Sequence, residues 1–186
     1  MSKDKTEAKE HRIIYITGEL DEDKGKIFTE TLLNLEGKNF HKDILVWVDT
    51  YGGDADTFLS MHDAIRLMRC PVATICIGKA MSAGAMLLMS GAKGKRFITR
   101  NARVMTHQMW GAAHGTLSEM EIDIREQRRL QDLLESIFCQ CTGLPMKRVQ
   151  KLVAEDRYMT PQEAKRLGIV DWVVTKASDL YGVVNV

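Results

Sequence analysis

The sequence predicts an α/β domain with a largely parallel sheet, and three observations support this prediction. Short apolar runs rich in β-branched residues alternate with segments of helical periodicity through the first half of the chain. The run at residues 44–48 (ILVWV) is apolar at every position, as expected for a strand buried on both faces. At 186 residues, 45% hydrophobic and 27% charged, the chain has the size and composition of one globular domain.

The elements of the first half follow from these runs and from the residues that end them. Gly18 ends the first strand, Gly37 ends the first helix, and residues 49–54 form a turn after the second strand. In chain order the sequence predicts a strand at 13–17, a helix over 24–35, a strand at 44–48, a helix over 55–68 and a strand at 72–77.

The second half contains two capping boxes, Ser118 with Glu121 and Thr160 with Glu163, each opening a helix. The predicted elements are a helix over 83–89, short strands at 96–99 and 103–106, helices over 117–141, from 145 and over 160–168, and a strand at 169–174. The helix over 117–141 is amphipathic and long for this domain size. It either buries its apolar stripe against another subunit or packs on its own domain.

Composition excludes several classes of function. The net charge of +1 gives no electrostatic case for binding nucleic acid or an anionic membrane surface. No apolar run approaches the length of a transmembrane helix, and the first residues are charged rather than a signal peptide, so the expected location is cytoplasmic. The four cysteines fit reduced thiols, and no metal site is expected.

Ser82 is the strongest candidate for a catalytic residue. It lies in residues 78–85 (GKAMSAGA), between a buried strand and an apolar helix. There its hydroxyl would meet free N–H groups and the positive end of the helix dipole, as in the nucleophile elbow of hydrolases. The alternative is that Ser82 only caps the helix.

A serine nucleophile needs a base, an orienting carboxylate and N–H donors for the oxyanion. His107, at a strand end before a glycine-containing loop, is the best candidate base, and His114 is a weaker one. The turn at Gly52 and Gly53, together with the N–H of Ala83, could supply the oxyanion donors. The pattern does not choose among four carboxylates at element ends, which are Asp49, Asp54, Asp156 and Asp171.

Five ordered segments carry a resemblance to the proteolytic subunit of the Clp protease (ClpP), over roughly residues 12–174. They are residues 50–53 (TYGG), 74–85 (TICIGKAMSAGA), 91–97 (GAKGKRF), 101–108 (NARVMTHQ) and 156–171, which begins DRYMTPQEA and ends LGIVD. Five such segments in the same order are specific to that family.

The resemblance implies the roles of five residues. Ser82 would be the nucleophile, His107 the general base and Asp156 the orienting acid, with Gly53 and Ala83 as the oxyanion donors. It also implies the ClpP/crotonase-like fold of repeated ββα units with a long handle helix, here residues 117–141. The expected organisation is a flexible polar N-terminal tail (1–11), a peptidase domain (12–176) and a C-terminal tail (177–186).

The resemblance further implies an assembly. Members of the family form heptameric rings, commonly stacked in pairs as a tetradecamer, with the active sites facing an inner chamber. An AAA+ ATPase feeds unfolded protein or peptides into that chamber. No cofactor is expected in the chain itself, since ATP would act only through the partner.

Four departures from the family's pattern are visible. Only residues 1–11 precede the first strand, whereas the family usually has a longer segment there that folds into an axial hairpin, so the resemblance does not extend to the docking and gating of an ATPase. Ala154 and Glu155 stand where an acidic residue and an arginine usually pair across rings. Met109 follows the His-Gln pair where proline is usual, and Lys79, in place of a neutral residue, is expected to point to solvent.

Two other interpretations remain, and the leading one leaves a choice of origin. The chain could be a catalytically silent ring subunit supporting an active paralogue, although all three triad positions carry suitable residues. It could be a crotonase-like acyl-CoA enzyme, which needs oxyanion donors but no serine nucleophile. Within the leading interpretation, a host protease and a phage or mobile-element ClpP-like protease fit equally well.

Overall fold

The computed structural model describes residues 12–185. The predicted flexible tail at 1–11 therefore lies outside the described residues. The strands are β1 (Ile13–Leu20), β2 (Ile44–Gly53), β3 (Val72–Met81), β4 (Arg96–Thr99), β5 (Arg103–Thr106), β6 (Arg157–Met159) and β7 (Trp172–Val174). The helices are α1 (Glu22–Lys38), α2 (Ala55–Leu67), α3 (Ala83–Met89), α4 (Leu117–Thr142), α5 (Met146–Val153), α6 (Pro161–Arg166) and α7 (Ala177–Tyr181).

The seven strands form one sheet in which β3 is central. The order β1-β2-β3-β4-β7 is parallel throughout. The first half of β3 pairs with β4, its last residues pair with β5, also in parallel, and β6 adds to β5 in antiparallel orientation. The predicted α/β class with a largely parallel sheet is confirmed.

The central strands β2 and β3 are buried on both faces, which explains their nearly continuous apolar runs. Alternate residues of a strand point to opposite faces. In β2, Val46 and Val48 belong to the main apolar cluster, whereas Leu45 belongs to a second one. Ile75 of β3 lies in that second cluster and Cys76 in the main one. Among the described residues, no helix is both long enough and apolar enough to cross a membrane.

The segment predicted as a C-terminal tail is partly packed onto the domain. Residues 177–181 form α7, and Leu180 and Val184 are buried in the second cluster. The backbone of Asn185 exchanges hydrogen bonds with Asp43, since Asp43 N–H donates to its carbonyl and its own N–H donates to Asp43 Oδ2. Residues 180–184 (LYGVV) are largely apolar, and the prediction of a tail did not use this signal.

The long helix α4 begins differently from the prediction. Its capping box is Thr116 with Glu119, whereas the sequence analysis assigned Ser118 with Glu121. Both pairs have the required spacing, and the helix uses the pair that begins one residue before Leu117. Its buried residues, Glu135, Ile137 and Phe138, all lie in its C-terminal half. Toward its N-terminus α4 exposes Leu117, Ile122 and Ile124.

A buried ion pair joins β4 to the chain leading into β7. Arg96 and Asp171 form a bidentate contact, with Nη2 2.6 Å from Oδ1 and Nε 2.9 Å from Oδ2. Asp171 Oδ2 also accepts from the backbone N–H groups of Gly94 and Arg96. Burial by itself would raise the pKa of the Asp171 carboxyl, but its bonds to Arg96 and the nearby charge outweigh burial and lower that pKa.

We expect Asp171→Asn to lower the free energy of unfolding at pH 7 by about 3 kcal/mol, because it leaves the buried Arg96 guanidinium without its counter-charge. The folded-state pKa of Asp171 is depressed, so the stability from this pair is present above the unfolded pKa of about 3.9 and is lost as pH falls through the folded pKa. Urea unfolding of both proteins from pH 7 to pH 3, at one protein concentration, measures this difference.

Glu126→Gln is the matched control, since it breaks an exposed ion pair with Arg129 on α4. It should shift the urea midpoint much less than Asp171→Asn. Equal shifts, or a difference from wild type that does not shrink below about pH 4, would contradict the assignment.

Candidate active site

Ser82 occupies a strained turn between β3 and α3. Its backbone has φ 53° and ψ −125°, and it is the single non-glycine residue with positive φ in the part of the chain that the structure describes. The turn is held by the Ser82 N–H, which donates to the Met105 carbonyl at 2.9 Å. Such geometry is typical of a nucleophile elbow and of strain retained at functional sites.

The alternative interpretation, in which the Ser82 side chain only caps α3, does not agree with the contacts of that side chain. Ser82 is at the N-cap position, but its hydroxyl makes no capping hydrogen bond. Oγ instead lies 2.8 Å from His107 Nε2.

The glycine turn at the end of β2 packs directly against this elbow. A Cβ on Gly52, which has φ +104°, would lie 2.7 Å from the Met81 carbonyl oxygen and 2.9 Å from Ser82 Cβ. A Cβ on Gly84 would lie 2.5 Å from Thr50 Cγ2. The two turns can approach this closely only because both positions lack a side chain.

His107 lies between Ser82 and Asp156. Its Nδ1 is 3.3 Å from Asp156 Oδ1, while Nε2 faces the Ser82 hydroxyl. The His107 side chain is 26% exposed and the Asp156 side chain 60% exposed. The three side chains therefore have the order that a serine nucleophile, its base and an orienting acid would require, and the carboxylate is open to water.

Strand pairing accounts for this convergence. Met81 of β3 pairs with Met105 of β5, so Ser82 and the end of β5 lie at the same edge of the sheet. Thr106 pairs with Arg157 of β6, which brings the preceding residue, Asp156, beside His107.

The predicted oxyanion donors lie in the same cavity. Gly53 and Ala83 line it together with Ser82 and His107. Ala83 is the first residue of α3, where backbone N–H groups have no partner within the helix. Two N–H groups beside a serine are suited to stabilise a developing oxyanion.

The other candidates from the sequence have different roles. Asp54 caps α2 by accepting from Thr57 N–H at 2.7 Å, Asp171 binds Arg96, and His114 lies exposed in its loop. Asp49 lies 2.8 Å from Lys79 Nζ. The expectation that Lys79 points to solvent is wrong, because its ammonium is held by Asp49 and lies 4.6 Å from the centre of the Tyr51 ring.

Helix α4 supplies a wall of the cavity that sequence reasoning missed. The cavity, of about 420 Å³, lies between the Ser82 elbow, the start of α2 and α4. Leu134 and Phe138 contribute apolar surface, and Gln131 and Glu135 contribute polar groups. The signal available in the sequence was an acidic residue, Glu135, interrupting an apolar stripe at residues 130, 134 and 138.

No group of three or more His, Cys, Asp and Glu side chains suited to hold a metal ion occurs among residues 12–185.

The chain matches the family model described as Clp protease over residues 2–177. This range covers nearly the whole chain and contains all five segments on which the resemblance was based. The chain belongs to the Clp protease family.

Proposed function

We propose that this chain is a serine endopeptidase, the proteolytic subunit of a self-compartmentalised Clp-type protease that cleaves unfolded proteins and peptides. The observation that carries the proposal is the 2.8 Å contact between Ser82 Oγ and His107 Nε2 at a strained strand-to-helix turn. Membership of the Clp protease family supports it independently.

In the proposed reaction, His107 Nε2 takes the hydroxyl proton while Ser82 Oγ attacks the peptide carbonyl. The N–H groups of Gly53 and Ala83 stabilise the negative charge on the carbonyl oxygen. His107 then gives the proton to the leaving amine, which leaves an acyl-enzyme on Ser82. Water, activated by the same imidazole, hydrolyses the ester. Asp156 holds Nδ1–H and stabilises the imidazolium.

A second candidate is a silent ring subunit. The observation that favours it is the exposure of Asp156 to water. Its side chain is 60% exposed, and Oδ1 lies 3.3 Å from His107 Nδ1, which is long for a hydrogen bond. We favour the active enzyme because apo catalytic contacts are often loose and tighten with substrate.

The assembly proposed is a heptameric ring, stacked in pairs through α4. The exposed Leu117, Ile122 and Ile124 near the start of α4 support this, because this end of the helix has no buried residue of its own and its apolar side chains favour burial against other copies. An AAA+ unfoldase is the proposed partner, acting in the cytoplasm, and ATP would be used by that partner alone.

We expect Ser82→Ala to lower peptide hydrolysis by about 10³-fold or more, because it removes the nucleophile. Labelling by a fluorophosphonate probe should disappear with it. Ser60→Ala, on the exposed side of α2, is the matched control and should retain both labelling and turnover. Full activity in Ser82→Ala would refute the assignment.

Asp156→Asn should lower kcat about 10²-fold with little change in KM, since it weakens control of the His107 tautomer without touching substrate. The loss should be smaller than the roughly 10⁴-fold typical of a buried triad acid, because water can reach this carboxylate. Steady-state kinetics on a short fluorogenic peptide measures it. An unchanged kcat would remove Asp156 from the mechanism.

Sedimentation of the purified protein tests the assembly. Seven chains of 21.0 kDa give a ring of about 147 kDa, and a stacked pair has twice that mass. An Ile122→Glu variant should separate stacked rings into single rings, because it places a charge among the exposed apolar side chains near the start of α4. A monomeric wild type at micromolar concentration would contradict the chamber.

A further inference from the structure

The cavity beside Ser82 has an excess of negative charge. Four carboxylate side chains line it, from Glu19, Asp54, Asp56 and Glu135. Among the residues that the structure describes, no lysine or arginine lines this cavity. Lys24 is close by, but its ammonium donates to the Glu19 backbone carbonyl. A substrate group entering this space therefore meets acidic partners without a resident cation.

Glu135 is the most informative of the four, because it is only 8% exposed. The other three are exposed. The cavity that Glu135 lines also has apolar side chains in its wall, among them Phe58, Leu134 and Phe138. A carboxylate removed from water in such surroundings is normally paired with a cation.

The partners of Glu135 are neutral amides. Gln131 Nε2 donates to Oε1 at 2.8 Å, and Gln150 Nε2 donates to Oε2 at 3.1 Å. The Gln131 amide is oriented by Met109 N–H, which donates to Gln131 Oε1 at 2.9 Å. No ion pair to Glu135 forms within residues 12–185. Since a carboxylate has about four acceptor sites, Glu135 can accept from a further donor.

We propose that this cavity selects lysine or arginine at the substrate residue whose carbonyl Ser82 attacks. The inference rests on the proposed function. The carbonyl oxygen would lie at the N–H groups of Gly53 and Ala83, which line the cavity, so the side chain one carbon away is the one directed into it.

Lysine and arginine match the cavity along their whole length. The aliphatic stem packs on Leu134 and Phe138, and the cationic end reaches Glu135, with the field of Asp54 and Asp56 adding attraction. A leucine in the same place would close off Glu135 from water without giving it a cation. The cavity therefore disfavours apolar side chains as well as favouring basic ones.

The competing explanation is purely structural. Glu135 ties α4 to α5 through Gln150 and to the segment after His107 through Gln131. Glu135→Gln separates the two explanations, because its amide keeps the bond from Gln131, and a flipped Gln150 amide can accept from it. The variant removes the charge and preserves the contacts.

The test uses fluorogenic peptides that differ only in the residue before the leaving group, which is arginine, citrulline or leucine. Arginine and citrulline are nearly equal in size and differ in charge. We expect kcat/KM for arginine to exceed that for citrulline about tenfold or more in the wild type. Glu135→Gln should remove most of this ratio, and Asp56→Asn should reduce it. Glu30→Gln, which makes the same change in net charge on the exposed side of α1, should leave it unchanged.

Labelling of Ser82 by a fluorophosphonate without a basic group distinguishes failure of the proposed selectivity from failure of the proposed peptidase activity. Labelling with equal cleavage after arginine, citrulline and leucine would overturn the selectivity and leave the peptidase standing. Absence of labelling and of cleavage would overturn the proposed function, and the selectivity with it. If Glu135→Gln fails to fold, the arginine-to-citrulline ratio in the wild type and in Asp56→Asn decides the question.

Discussion

The register of β3 is the constraint on which the site depends. This strand pairs with β2 on one side and with β4 and then β5 on the other, and its last residue leads directly into the Ser82 turn. β5 in turn pairs with β6 and sets the position of β6 in the sheet. A shift of one residue in any of these pairings would send alternate side chains to the opposite face of the sheet. Both faces of β3 are packed in apolar clusters, so such a shift would exchange core side chains for others of different size and shape. The cost of that repacking holds the register, and with it the geometry of the candidate site.

The same packing sustains the strain at the elbow. A non-glycine residue with positive φ costs on the order of 1–3 kcal/mol and persists only where its surroundings determine it. Here the Ser82 N–H is bound by Met105, and the Gly52 turn fills the space behind Ser82 Cβ. Thr50 stabilises that turn, since its hydroxyl accepts from the Gly52 N–H at 2.9 Å.

Apolar periodicity made much of this fold predictable. The bounds of α3, β4 and β5 agree with the prediction because each is a short run ended by turn-forming residues. The sequence predicts a turn at the end of β2, since residues 49–53 (DTYGG) have the composition of a turn. This prediction is wrong, because pairing with β1 and β3 extends the strand through these residues. Likewise, Ser82 and His107 could be found at strand ends. Asp156 could not be chosen by spacing, because its position depends on β6, a three-residue strand exposed at two positions.

One departure from the family's pattern, at position 109, makes a hydrogen bond in the cavity wall possible. The resemblance leads one to expect proline at position 109, and proline has no backbone N–H. Met109 provides that N–H, and Gln131 uses it to turn its own N–H groups toward Glu135. With proline there, Gln131 Oε1 would lose the Met109 donor, and the contact with Glu135 alone would orient the Gln131 amide. Met109, Gln131 and Glu135 thus form one hydrogen-bonded chain in the wall of the cavity beside Ser82, and this chain needs a backbone N–H at the residue after Gln108. A protein that gained the acid without the N–H would hold a poorly satisfied carboxylate in an apolar wall, a costly arrangement.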